Sequence, residues 1–184
     1  MTALASRGQL RASLLRWSLF IVPTVVLLGF LSGKIAGGGP GNPWFEALAK
    51  PGDFPPPQAF GVVWPILHVL MGLALAMVCA AWGARGRTAA ILAFVVQFLL
   101  VLAWPPTFFA AHEIEGALMV LAALDVLLIV TIALFWRVRR LAAVLLLPCL
   151  ACVLFATWLN YEILRLNPGA GEARANGAVQ RIEI

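Results

Sequence analysis

Five uninterrupted apolar runs, each too long for a strand and too poor in charge for a soluble helix, limit what this chain folds into. They extend from Trp17 to Gly33, Phe60 to Trp82, Thr88 to Ala111, Ile114 to Trp136 and Leu141 to Tyr161. Crossing a hydrocarbon core of about 30 Å takes about 20 apolar residues as a helix but only roughly 9–11 as a tilted strand. The runs also lack the two-residue alternation of a membrane barrel. Helices are then the backbone that satisfies its own N–H and C=O groups in lipid. Composition agrees, since 62% of the 184 residues are hydrophobic and 11% charged, against about 25% charged in a soluble domain. The expectation is an all-α integral membrane bundle of five transmembrane helices, with a long lid-like loop between the first and second spans.

Charge alternates between the spans. Arg7, Arg11 and Arg16 give +3 before the first run, and in the first loop Lys34 and Lys50 cancel Glu46 and Asp53. The second loop holds Arg85 and Arg87, the third Glu113 and Glu115, and the fourth Arg137, Arg139 and Arg140. In the tail, Arg165, Arg174 and Arg181 balance Glu162, Glu172 and Glu183. Basic loops stay on the cytoplasmic side. The amino terminus is therefore expected to be cytoplasmic, with the first loop, the acidic loop and the carboxyl terminus on the opposite face. Trp17, Trp82 and Trp136 then fall at the inner interface, where amphipathic rings collect. The expected organisation is a cytoplasmic segment 1–16, a five-helix membrane domain 17–167 and a flexible tail 168–184. A signal peptide is disfavoured because no small-x-small cleavage site follows promptly. The net charge of +5 is spread too thinly for a nucleic-acid surface, so no nucleic-acid partner is expected.

The first loop and second run carry a specific pattern: Trp44-Phe45, Leu48, Lys50-Pro51, Pro55-Pro56, Phe60-Gly61, Val63-Trp64, Leu67-His68 and Met71-Gly72. Further along stand Gln97, Trp104, Phe108-Phe109, Pro148, Phe155-Ala156-Thr157 and Leu159-Asn160. This resembles the tryptophan-rich sensory protein or translocator protein (TspO/MBR) family over roughly residues 15 to 167. The resemblance implies five membrane helices and a pocket between them, under the first loop, for flat hydrophobic ligands: porphyrin, haem, sterols and other polycyclic compounds. Carried over by position, its walls are Trp44, Trp64, His68, Val101, Trp104, Cys152, Ala156 and Asn160. No cofactor is required, porphyrin or haem being a ligand, and the partners implied are a hydrophobic small molecule, membrane lipid and a second copy in a homodimer. Departures from the family pattern are Asp53 for Trp or Phe, His68 for Tyr, Val101 for Asn, Pro105 for Ser, and Cys149 and Cys152 for Tyr and Trp. Of the tryptophans associated with porphyrin degradation in some members only Trp64 survives, so binding for sensing or transport is favoured over catalysis. Two alternatives stay open: a membrane enzyme using His68 and Asp125, and a scaffold that has lost its pocket and acts through a protein partner.

Some residues stand out on their own chemistry. Asp125 lies at the centre of its run, where a carboxyl either meets a partner or ligand from another helix or is held by a backbone carbonyl. It is counted as a ligand-site candidate. His68 follows Trp64 by one turn and precedes Gly72 by one turn, so the three share a helix face. It either meets a ligand, through a propionate or haem iron, or donates to a carbonyl inside the bundle. Asn42-Pro43 suits the start of a short helix bearing Trp44, Phe45 and Leu48. Cys149 and Cys152 sit three apart in a helix, where Cβ atoms are about 5–6 Å apart, too far for a disulfide. They and Cys79 are read as packing residues, and no metal site is expected. Leu159, Tyr161 and Arg165 match a weak sterol-contact motif, although Tyr161 and Arg165 equally suit interface anchors.

Overall fold

A computed structural model describes residues 7–39 and 41–170. The expectations for residues 1–6, in the cytoplasmic segment, and for residues 171–184, in the tail, lie outside the described residues. The elements are α1 (Arg7–Ile35), α2 (Pro43–Ala47), α3 (Pro57–Cys79), α4 (Arg87–Pro105), a π-helical turn (Pro106–Ala110), α5 (Ile114–Val138) and α6 (Arg140–Leu166). All but α2 and the π turn are long and apolar enough to cross a bilayer.

The boundaries follow local chemistry. α1 begins ahead of its apolar run because residues 7–16 are mostly good helix formers. α3 stops at Cys79, three residues short of the apolar run, because the Arg87 side chain ends it. Arg87 Nε donates to the Val78 carbonyl at 3.2 Å and Nη2 to that of Cys79 at 2.8 Å, satisfying two C-terminal acceptors. The same guanidinium lies 4.5 Å over the Trp82 ring. α5 and α6 are separated only by Arg139, whose extended backbone (φ −152°, ψ 103°) breaks the helix. α6 continues to Leu166 because Glu162 pairs with Arg165 at 2.9 Å along the helix surface, so the acid that ends the apolar run does not end the helix.

The five long helices form a ring in the order α1, α3, α6, α5, α4, with α4 closing back onto α1. In lipid, helices associate through close packing and hydrogen bonds rather than hydrophobic transfer, so each seam needs a specific device. At the α1–α3 seam, a Cβ on Gly72 would stand 2.9 Å from the Val22 Cα, and one on Gly29 would overlap the His68 ring. Ser32 Oγ of α1 donates to the Leu102 carbonyl of α4 at 2.6 Å. The Cys149 thiol of α6 points at the Leu67 carbonyl of α3 at 3.7 Å. Within the ring, Phe94, Phe98, Leu121, Leu124, Leu128, Phe135 and Leu146 make one buried core.

Candidate functional site: an aromatic slot under a lid

The loop between α1 and α3 is ordered from within. Asn42 Oδ1 accepts from the Phe45 N–H at 2.9 Å, capping α2, and Pro43 occupies the first turn, where its missing N–H costs nothing. Lys50 returns over the other end. Its Nζ donates to the carbonyls of Phe45 (2.7 Å), Leu48 (3.2 Å) and Glu46 (3.3 Å), and lies 4.7 Å over the Phe45 ring. This explains why the segment carries a lysine immediately before Pro51: three C-terminal carbonyls of a five-residue helix need donors, and one ammonium supplies them.

Asn167, just past α6, then clamps the loop. Its Oδ1 accepts from the Ala49 N–H and its Nδ2 donates to the Ala49 carbonyl, both at 2.9 Å. Beneath the lid lies a second, smaller cluster of Leu48, Phe108, Ile114, Ala117 and Ile163. Trp44 stacks on His112 at 4.2 Å and meets Phe108 edge-on at 5.5 Å, and Phe45 meets the edges of Phe108 and Phe109. The π turn makes this possible. Pro105 and Pro106 lack N–H groups, and the wider turn closes through the Ala111 N–H donating to the Pro106 carbonyl. Such a turn changes the direction in which the following side chains project, here Phe108 and Phe109.

The aromatic wall itself is built on Trp64 of α3 and Trp104 of α4, whose rings are 20° from parallel with centroids 6.4 Å apart. That spacing is at the loose end of the roughly 4.5–7 Å usual for ring pairs. Phe108 extends the wall, stacked on Trp104 at 5.4 Å. Both indoles are half-buried, as are Cys152 and Ala156 of α6, which pack beside them on the same core. Asn160 is the positioning group. Its Nδ2 donates to the Ile114 carbonyl at 2.9 Å, and its Oδ1 lies 3.4 Å from the Trp104 Nε1. It thereby orients the indole while tying α6 to the start of α5. Val101, one turn before Trp104, is buried in the core below.

The sequence candidates separate into groups. Trp44, Trp64, Trp104, Cys152, Ala156 and Asn160 gather at the lid end. His68 is turned elsewhere: its Nδ1 donates to the Trp64 carbonyl at 2.7 Å, and its Nε2 edge fills the notch at Gly29 of α1. Trp64, His68 and Gly72 share a helix face, yet His68 and Gly72 serve the α1 seam while Trp64 faces α4. Asp125 joins α5 to α6, with the Thr157 hydroxyl 2.8 Å from its Oδ2, while Oδ1 is buried without a hydrogen bond. Its helix face is shared with Leu121, Leu124 and Leu128, whereas Ile129 is exposed. Cys152, His68 and Asp125 are not gathered, and among the described residues no three His, Cys, Asp or Glu side chains lie close enough to share a metal ion. Leu159 is buried, while Tyr161 and Arg165 lie outside with the guanidinium 5.9 Å over the phenol ring.

Sequence comparison bears directly on this arrangement. The TspO/MBR family profile matches residues 20–166. A tryptophan-rich protein TspO of Chlorobaculum tepidum is 35% identical over 130 residues, covering 70% of this chain and 82% of its own length. The human translocator protein is 35% identical over 133 residues (71% and 79%). The tryptophan-rich sensory protein of Cereibacter sphaeroides is 33% identical over 132 residues (72% and 82%).

Proposed function

This chain belongs to the TspO/MBR family, a multi-pass membrane protein with five candidate spans, and from that premise we propose that it binds a flat polycyclic ligand, a tetrapyrrole or a sterol-like lipid, against the aromatic wall of Trp64 and Trp104 beneath the lid. The observation that carries this reading is the near-parallel pair of half-buried indoles beneath a loop held by removable polar contacts. Flat apolar faces bury a planar molecule well, and a small number of polar tips set its orientation. Trp44, Phe108, Cys152 and Ala156 complete the wall, Asn160 holds Trp104, and the Asn167 clamp governs access.

The reading is of sensing or transport, without bond-making chemistry. His68 works here as a bundle brace, because its Nε2 edge is occupied by α1, and Asp125 as a polar link between α5 and α6. On this reading the arginine-rich end faces the cytoplasm, as basic loops do, and the lid lies on the opposite face. Absorption spectroscopy and native mass spectrometry of freshly purified protein test the ligand class. A bound tetrapyrrole or polycyclic lipid released by Trp64→Ala supports the reading. A protein that takes up neither a porphyrin nor a sterol when titrated overturns it.

A further inference from the structure

The end of the bundle away from the lid carries a feature the slot does not use. An open cleft of about 650 Å³ lies where the start of α1, the α3–α4 turn and the α5–α6 break converge. Arg16, Ser13 and Arg139 supply its polar lining, with Trp82, Gly83 and Val138 among the remainder. Arg16 and Arg139 are exposed, and neither is committed to an ion pair among the described residues. Their neighbour Arg87, by contrast, is engaged by carbonyls and an indole.

Among the described residues no acid pairs with the arginines of this end. The sequence from Arg11 to Ser32, from Ala80 to His112 and from Trp136 to Tyr161 contains arginines and no Asp or Glu. Trp17 and Trp82, 6.5 Å apart, put two indoles beside the cleft, and indoles sit at headgroup depth. Two guanidiniums, one from α1 and one from the α5–α6 break, a hydroxyl and a headgroup-level aromatic rim match one chemistry: a phosphate diester whose acyl chains remain in the bilayer.

We propose that this cleft binds the phosphate of an anionic phospholipid headgroup, bridging Arg16 of α1 to Arg139 at the α5–α6 break. The site needs only the cleft, so it stands apart from the slot; which leaflet supplies the lipid rests on the charge-based orientation. Because α1 and α6 are not neighbours in the ring, a bound phosphate ties the bundle together at the end opposite the lid.

The test uses the full chain in nanodiscs and in detergent. Native mass spectrometry and thermal unfolding are followed with phosphatidylglycerol, phosphatidylcholine or inorganic phosphate added. Wild type is expected to retain phosphatidylglycerol and unfold at a higher temperature with it, with little response to the other two. Arg16→Gln with Arg139→Gln is expected to weaken retention about 10- to 30-fold, on the scale of two basic contacts. Arg85→Gln with Arg137→Gln removes the same charge outside the cleft and is expected to leave retention within about twofold. Equal losses in the two double variants would reduce the effect to general surface charge and overturn the proposal. So would equal stabilisation by phosphatidylcholine, and an equal response to inorganic phosphate would replace the lipid with a soluble anion. If the Gln pair fails to fold, Arg16→Lys with Arg139→Lys, which keeps charge but loses the fork, is expected to show a smaller loss; unchanged retention and unchanged lipid preference in that pair would contradict the two-guanidinium geometry.

Discussion

Where α1 meets α3, backbones approach through Gly72 and Gly29, and nothing on either side gives way: the atoms opposite are a Cα and a ring wedged between helices. Where α2 meets the bundle, contact is made by ring edges and by side chains reaching for main-chain atoms, from Asn42, Lys50 and Asn167. No residue of α2 itself is fully buried. The seam is a packed interface with one arrangement. The lid is a small ordered body fastened at a few points, the kind of element that opens well below the free energy of global unfolding. A packed bundle and a loop fastened over its end thus use different interactions within one chain.

Gly72→Leu strikes the seam hardest. With backbone only 2.9 Å from the new Cβ, overpacking is expected to cost about 3 kcal/mol, read as a large fall in the unfolding midpoint in detergent. A near-normal midpoint would mean that α1 is free to move aside and that the contrast with the lid is false. Asn167→Ala acts on the lid and on one bond at the end of α6, to the Ile163 carbonyl. Losing the two bonds to Ala49 is expected to cost about 2 kcal/mol locally, so amide exchange across residues 41–56 quickens by roughly tenfold or more while global unfolding barely shifts. Exchange that stays slow would show the aromatic contacts suffice without the clamp.

His68→Phe sharpens the boundary between seam and slot. A phenyl ring keeps the wedge at Gly29 but loses the bond to the Trp64 carbonyl, an expected loss of about 1 kcal/mol of stability, with haem and metal-free porphyrin spectra unchanged. A Soret shift present in wild type and abolished by the substitution would instead put an imidazole nitrogen on iron. The smallest effect is expected at Lys50→Met, which keeps the aliphatic stem but removes three donors from the α2 carboxyl end. Near the surface this is about 0.5–1 kcal/mol, visible as local fraying of α2 in exchange measurements.

The five spans were legible because lipid demands long apolar runs, and each misplaced end has a local cause. The second run reads on to Trp82 because Ala80 and Ala81 are apolar, although Arg87 ends the helix at Cys79. The fifth seemed to stop at Tyr161 because Glu162 is acidic, yet its partner Arg165 lies one turn on. The α2 cap was equally readable, since Asn42 and Pro43 act on adjacent residues. What sequence did not show are pairings across distance. Nothing near Asn167 names Ala49, 118 positions away, and nothing in α1 announces that Gly29 receives an imidazole. The π turn had a signal in Pro105-Pro106, which read as part of a continuous run. At the candidate site, Trp64, Trp104 and Asn160 were named by position in the family pattern, while the contacts of Phe108, His112 and Thr157 emerged only from the structure.

The central claim is that the indole of Trp64, beneath the lid, forms a wall of a planar-ligand site. Titration of a metal-free porphyrin, followed by tryptophan fluorescence quenching, tests it most directly in wild type and Trp64→Ala protein shown to share a thermal midpoint within a few degrees. Loss of the buried aromatic face is expected to weaken binding by about 1–3 kcal/mol, roughly 5- to 150-fold in the dissociation constant. An affinity unchanged in folded Trp64→Ala protein would place the ligand elsewhere and contradict the account.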